Sequence, residues 1–190
     1  MSRKRVAVLI SGRGSNLQAL LDADQDAYEI VLVVSNVPGA AGLDRARAAG
    51  VEAIALDHKP YGKNREAFER DLDALLVERN IEIVALAGFM RVLTPYFVNA
   101  WKGRLINIHP SLLPKYPGVN THARALEAGD AEHGCTVHLV VEEVDSGEIL
   151  GQSQLRILAT DTPETLARRL LPLEHELYPR CLAEFARRVA

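Results

Sequence analysis

An asparagine and a histidine two positions apart form the most suggestive chemical pair in this sequence. Asn107 and His109 stand in the segment NIHPSLLPKYPG. On an extended strand both side chains point to one face, and the prolines that follow predict that the strand ends at His109. An amide can donate to a developing oxyanion, and an imidazole can donate or transfer a proton. The pair indicates a catalytic site, although a lone histidine is more often structural.

Asp145 is the candidate partner of this pair. It opens an Asp-Ser-Gly segment, and these residue types are common in turns for conformational reasons alone. If the fold brings Asp145 next to His109, its carboxylate favours the charged imidazolium and raises the pKa of His109. A shift of one unit is worth about 1.4 kcal/mol and keeps a useful fraction of the acid form near neutral pH.

A glycine-rich segment, SGRGSN at residues 11–16, follows an apolar run and precedes a helical stretch. Glycines let the backbone approach an anion, and a helix N-terminus offers free N–H groups and a favourable dipole. Leu17 stands where a dinucleotide motif has its third glycine, and Ser35 and Asn36 stand where an acid would hold a ribose. The segment therefore predicts a site for one phosphate. The alternative is a tight turn that needs glycine for its backbone alone.

The histidines and cysteines do not form a metal-ligand pattern. His133 and His138 are five positions apart and would face opposite sides of one strand. Cys135 and Cys181 lie far apart without a CxxC motif. We expect no metal, no disulfide and a location in the reducing cytoplasm.

The length and composition of the chain indicate what kind of protein positions these residues. The chain has 190 residues, of which 48% are hydrophobic and 25% charged, values typical of one globular domain. A formal net charge of −3 argues against a basic nucleic-acid surface. The longest apolar run, at residues 83–90, is far shorter than the ~20 residues that a bilayer requires. We expect a single domain over residues 1–190, with no nucleic-acid or membrane partner.

Strand and helix patterns alternate in the first half of the chain. Several of the apolar runs lack polar alternation, which is typical of strands covered on both faces. Helices are predicted at 42–49, from Asn64 as N-cap, and from Pro95 after Thr94. The alternation predicts a doubly wound, mainly parallel sheet. The five predicted strands are residues 6–10, 30–34, 51–56, 81–87 and 105–108.

The pattern changes after residue 133. Residues 136–144 and 148–158 predict two long strands of an antiparallel C-terminal hairpin, joined at Asp145-Ser146-Gly147. A long helix is predicted from Pro163. The fold class is therefore α/β, and ligands of such sheets bind beyond the carboxyl ends of the strands.

Five motifs together resemble the folate-dependent glycinamide ribonucleotide formyltransferases. They occur in order between residues 6 and 174: SGRGSN, LAGFMRVL, NIHPSLLPKYPG, HGCTVHLV and VEEVDSGEIL. The resemblance implies a Rossmann-like formyltransferase fold and a role in purine biosynthesis. It also implies transfer of a formyl group from 10-formyltetrahydrofolate to the amine of glycinamide ribonucleotide, without a metal, by a monomer or homodimer.

The resemblance also implies roles for individual residues. Asn107, His109 and Asp145 would be catalytic, with the amine attacking the formyl carbon directly and Asn107 and protonated His109 donating to the tetrahedral oxyanion. Gly14, Ser15 and Asn16 would bind the ribotide phosphate, and Glu174 would contact the glycinamide amine. The residues expected at the folate are Arg65, Met90, Arg91, Val92, Leu93, Asn107, Val141, Glu142, Glu143, Val144 and Asp145.

Two positions depart from the family pattern, and other functions compete. Glu148 stands where the family often has proline, and Leu171 stands at a position that is polar in some members. A formyltetrahydrofolate hydrolase and a methionyl-tRNA formyltransferase share similar motifs, but each would need a further domain for which this chain is expected to have no room. A phosphate-binding domain without catalysis would use SGRGSN alone.

Overall fold

Seven strands form one mixed sheet in the computed structural model, which describes residues 2–189. The strand order is β3-β2-β1-β4-β5-β6-β7. The first five strands are parallel, whereas β6 pairs antiparallel with β5 and with β7. The predicted α/β class and its mainly parallel sheet are confirmed. The bounds are β1 Lys4–Ile10, β2 Tyr28–Ser35, β3 Glu52–Ala55, β4 Ile83–Leu86, β5 Leu105–His109, β6 Glu132–Leu139 and β7 Ile149–Arg156.

Within the described residues 2–189, six α-helices connect and cover these strands. The Asn64 side chain accepts from the Ala67 N–H, as its predicted role at the start of α3 requires, and Pro95 opens α4. Thr162 forms a capping box with Thr165 at the start of the long last helix. The bounds are α1 Ser15–Asp22, α2 Ala41–Ala48, α3 Arg65–Glu78, α4 Pro95–Ala100, α5 Thr121–Glu127 and α6 Pro163–Arg188.

The central strands β1 and β4 are buried on both faces, which explains why they lack polar alternation. Along β1, Val6, Val8 and Ile10 pack into a core with residues of α1, α2 and α6. Ala7 and Leu9 point to the other face and pack into a second core with α3 and α4. Because both layers fix the central strands, the carboxyl ends of β1, β4 and β5 form a rigid edge.

The predicted hairpin is shorter than expected. Its first strand ends at Leu139, and residues 140–148 form a loop without strand structure. Asp145 adopts a left-handed conformation with φ 53°, and the Ser146 hydroxyl donates to the Glu143 carbonyl. The loop therefore turns back over the end of β5 instead of continuing the ladder. Helix α5, between residues 121 and 127, was not predicted.

Two further features concern the chain as a whole. Cys135 and Cys181 are buried free thiols. Within residues 2–189, no helix is both long enough and apolar enough to cross a bilayer.

Candidate active site

Three side chains selected from the sequence lie together at the carboxyl edge of the sheet. Asn107 and His109 stand at the end of β5, and Asp145 reaches them from the 140–148 loop. His109 Nδ1 lies 3.4 Å from Asp145 Oδ2. A fourth residue joins them: His138 Nε2 lies 3.4 Å from Asn107 Nδ2 and 3.5 Å from Asp145 Oδ1. We call Asn107, His109, His138 and Asp145 the edge cluster.

Sequence reasoning missed His138, which was considered only as a metal ligand. The residue lies on β6 directly opposite Asn107 in the antiparallel register, and it is 2% exposed. Its Nδ1 lies 2.9 Å from the Leu139 carbonyl oxygen, an acceptor. Nδ1 therefore donates its proton to that carbonyl, and Nε2 faces both the Asn107 amide and the Asp145 carboxylate. Only the pairing of β5 with β6 reveals this role.

Protein groups contact both ring nitrogens of His109. Nε2 lies 2.8 Å from the Tyr116 carbonyl oxygen and therefore donates its proton there, while Nδ1 faces Asp145. Burial lowers the pKa of His109 below its usual range, and the Tyr116 carbonyl and the Asp145 carboxylate offset only part of that effect. Asp145 thus acts in the expected direction, but desolvation of the ring outweighs the nearby charge and the pKa of His109 is lowered overall.

Asp145 is the anionic member of the edge cluster. Burial raises the pKa of its carboxyl, but the His138 side chain and the Gly118 N–H bond to the charged form and lower the pKa below its usual range. The Gly118 N–H donates to Oδ2 over 2.8 Å. The side chain is 11% exposed, so a negative charge is held in a mostly water-excluded position. The carboxylate is thus a fixed anion beside two imidazoles at neutral pH.

The SGRGSN segment forms a tight turn between β1 and α1. Gly14 has φ 76°, and a Cβ there would lie 2.8 Å from the Gly42 Cα. Backbone conformation and close packing thus account for this glycine by themselves. No side chain caps α1, whose first residues are Ser15 and Asn16. The turn offers an uncapped helix N-terminus at the edge that carries the cluster, as an anion site requires.

Glu174 and Asn16 meet next to this turn. Asn16 Nδ2 lies 3.4 Å from Glu174 Oε1, which joins α1 to α6. Glu174 is 8% exposed, and burial raises its pKa to about 7, with Asn16 acting weakly in the opposite direction. The buried Asn16 Oδ1 has no hydrogen-bond partner within the described residues. A buried carboxyl and an unpaired amide oxygen form a polar pocket that suits a ligand with N–H donors.

The residues predicted at the folate lie on two exposed segments that flank the edge cluster. Met90 is 80% exposed, and Val92, Val141 and Val144 are also exposed, as are Arg65, Glu142 and Glu143. Apolar side chains concentrated in this way are typical of a binding surface. Leu93 is half-buried against the second core. The Arg91 guanidinium lies 5.1 Å from the centre of the Phe68 ring, and the exposed Arg65 begins α3 at the margin of this surface.

The two positions that depart from the family pattern, Glu148 and Leu171, lie at the base of the 140–148 loop and on α6. Glu148 forms an ion pair with Arg188 over 3.0 Å, and its carbonyl accepts from the Leu139 N–H. These contacts close the base of the 140–148 loop. A proline at position 148 would lose the ion pair but could still accept the Leu139 N–H through its backbone carbonyl. Leu171 is 36% exposed on α6, one turn before Glu174.

Two depressions, of about 540 and 390 Å³, are lined by none of the predicted site residues. Among residues 2–189, no three histidine, cysteine or acidic side chains are grouped so that they could hold a metal ion.

A comparison with protein families agrees with this geometry. A family model described as "Formyl transferase" matches residues 4–182. The chain belongs to the formyl transferase family. The match extends from β1 into α6 and includes the glycine-rich turn, the edge cluster and Glu174.

Relatives within the formyl transferase family fall into two size classes. The chain is 50% identical over 186 residues to the trifunctional purine biosynthetic protein adenosine-3 of Drosophila melanogaster, covering 95% of this chain but 14% of that protein. It is 45% identical over 184 residues to the phosphoribosylglycinamide formyltransferase of Escherichia coli, covering 95% and 86%. The chain therefore spans between 13% and 18% of the length of the larger relatives.

Solved structures of formyl transferases have the same fold. The phosphoribosylglycinamide formyltransferase of Coxiella burnetii, in complex with CHES, superposes with a TM-score of 0.91 at 46% identity, covering 97% of this chain and 88% of that one. The Brucella melitensis enzyme superposes with a TM-score of 0.91 at 46% identity, covering 97% and 96%.

Proposed function

We propose that this chain transfers the formyl group of 10-formyltetrahydrofolate to the amine of glycinamide ribonucleotide, in cytoplasmic purine biosynthesis. The edge cluster carries the proposal, because it lies at the same edge of the sheet as a phosphate-type turn and an exposed apolar surface. The turn and the cluster follow β1 and β5, which are separated by β4, so they lie about 10 Å apart. A ribose with its phosphate and its amide arm spans such a distance.

One contact connects the proposed ribotide and folate sites, and a second supports the loop of the folate site. The Met90 N–H donates to the Ser11 hydroxyl over 2.8 Å, which links the turn after β1 to the segment after β4. Asn99 donates to Glu142 over 2.7 Å and supports the 140–148 loop on α4. The exposed apolar side chains suit the flat pterin and aryl part of a folate, and Arg65 and Arg91 suit its carboxylates.

The mechanism begins with attack of the neutral glycinamide amine on the formyl carbon. The carbonyl electrons move to oxygen and form a tetrahedral oxyanion, to which the Asn107 amide and the protonated form of His109 donate. Because burial lowers the pKa of His109, this form is the minor one in the free chain near neutral pH, and the negative charge that develops on the substrate oxygen favours it. The long contact between His109 Nδ1 and Asp145 allows the Nδ1 proton to be shared with a substrate oxygen. Asp145, through water, passes the proton of the new ammonium to the folate nitrogen, which leaves as the carbonyl reforms.

Glu174 and Asn16 orient the substrate in this proposal. The unpaired Asn16 oxygen accepts an N–H of the glycinamide, and Glu174 accepts from its amine. With a pKa of about 7, Glu174 is partly protonated in the free enzyme near neutral pH. A bound amine that donates to the carboxylate favours its ionised form. Formation of this contact therefore depends on pH.

A single assay tests the proposal. The chain is mixed with 10-formyltetrahydrofolate, with or without glycinamide ribonucleotide, and the absorbance of the deformylated folate is followed. We expect turnover only when the ribotide is present. Equal turnover without ribotide would mean that water is the acceptor, and absence of turnover in both mixtures would leave only a phosphate-binding domain. Either result contradicts the proposal.

A further inference from the structure

The turn between β1 and α1 is bonded to α2 through its backbone carbonyls. The Gly42 N–H donates to the Gly12 carbonyl over 3.0 Å. Arg45 Nε donates to the Arg13 carbonyl over 2.8 Å, and the same guanidinium reaches Gln18 Oε1 at 3.3 Å. The half-buried Arg45 side chain thus ties α2 to both the turn and α1.

The bonds to the Gly12 and Arg13 carbonyls fix the direction of the N–H groups that follow them in the chain. In a trans peptide the carbonyl and the N–H of one unit point to opposite sides. Because the carbonyls of Gly12 and Arg13 point to α2, the N–H groups of Arg13 and Gly14 point away from it. Neither N–H has a hydrogen-bond partner among residues 2–189. Successive outward N–H groups before a helix N-terminus form a concave anion site.

We infer that Arg45 positions the turn between β1 and α1 and supplies positive charge to it, so that recognition of the ribotide phosphate depends on Arg45. This inference rests on the proposed function. Arg13, the arginine within the glycine-rich motif, has an exposed side chain. Its backbone carbonyl accepts the hydrogen bond from Arg45. A Cβ on Gly14 would lie 3.4 Å from Arg45 Cδ, so the stem of Arg45 also packs against the turn.

The test compares Arg45→Met with Arg47→Met. Methionine keeps an unbranched stem of similar length but removes the guanidinium donors and the charge. Arg47 lies two positions further along α2, is exposed, and pairs with Asp44 within the helix, so its variant is a matched control for the lost charge. Both variants are assayed with glycinamide ribonucleotide and with the riboside that lacks the phosphate.

We expect Arg45→Met to raise the KM for the ribotide about tenfold, the size of effect expected for losing one charge-assisted hydrogen bond. The kcat, the KM for 10-formyltetrahydrofolate and the kcat/KM for the riboside should stay within twofold. Inhibition by inorganic phosphate, competing with the ribotide, should weaken by the same factor. Arg47→Met should match the wild type.

Two results would overturn the inference. Unchanged KM for the ribotide in Arg45→Met would show that the turn does not need the guanidinium. A parallel loss with the riboside or the folate would show a general structural defect. If the wild-type chain itself formylates neither acceptor, the proposed function fails; binding of inorganic phosphate, followed by thermal shift in both variants, then tests the role of Arg45 independently.

Discussion

Replacing Glu174 with glutamine should stabilise the fold at alkaline pH while weakening the substrate contact. The carboxyl is 8% exposed, and burial raises its pKa from 4.5 to about 7. The folded state therefore binds more protons than the unfolded state between these values, so the contribution of Glu174 to stability is present below pH 4.5 and is lost as the pH rises through 7. Ionisation of Glu174 therefore lowers the free energy of unfolding by roughly 3 kcal/mol at pH 8, but by less than about 1 kcal/mol at pH 5.

Urea unfolding at pH 5, 6, 7 and 8 measures this effect. Glutamine keeps the shape and an acceptor for Asn16 but cannot ionise. Its advantage over wild type should therefore grow from small at pH 5 to about 2–3 kcal/mol at pH 8. The exposed Glu176, two positions along the same helix, provides the control variant Glu176→Gln, which should follow wild type. A Glu174→Gln advantage that does not change with pH would refute the reasoning.

Two further predictions concern the edge cluster and the contact between the glycine-rich turn and the segment after β4. Asp145→Asn removes the carboxylate that opposes the effect of burial on His109, so the pKa of His109 should fall further below its usual range. Histidine NMR titration measures this pKa, and an unchanged or higher value would contradict the prediction. Ser11→Ala removes the acceptor of the Met90 N–H and should raise the KM for 10-formyltetrahydrofolate about fivefold, with a smaller change for the ribotide; steady-state kinetics would disprove this if the ribotide KM alone changed.

The sequence predicted the strands and the main helices well because their signals are local. The apolar run at residues 6–10, the cap at Asn64 and the proline that opens α4 depend only on neighbours along the chain, whereas the Thr94 hydroxyl makes no capping bond and donates to the distant Glu69. The pairing of Asn107 with His109 on one face of a strand follows from the same local geometry. These features therefore required no knowledge of tertiary contacts.

The remaining features depend on contacts between distant segments. His138 becomes part of the edge cluster only through the register of β5 with β6. The sign of the pKa shift of His109 depends on how deeply the ring is buried, which its neighbours in sequence do not determine. Arg45 approaches the turn from α2, 32 positions away from the carbonyl that it binds. Such long-range contacts are where the expectations were incomplete or wrong.

The kcat/KM of Asn107→Ala is the most direct test of the claim that the edge cluster stabilises an oxyanion during formyl transfer. The variant removes one donor, and it should lower the kcat/KM about a hundred- to a thousandfold, or ~2.7–4 kcal/mol. Its circular dichroism, thermal midpoint and binding of inorganic phosphate should match the wild type, because among residues 2–189 the half-buried Asn107 side chain bonds only within the cluster. Turnover at the wild-type rate in a correctly folded Asn107→Ala variant would contradict the account.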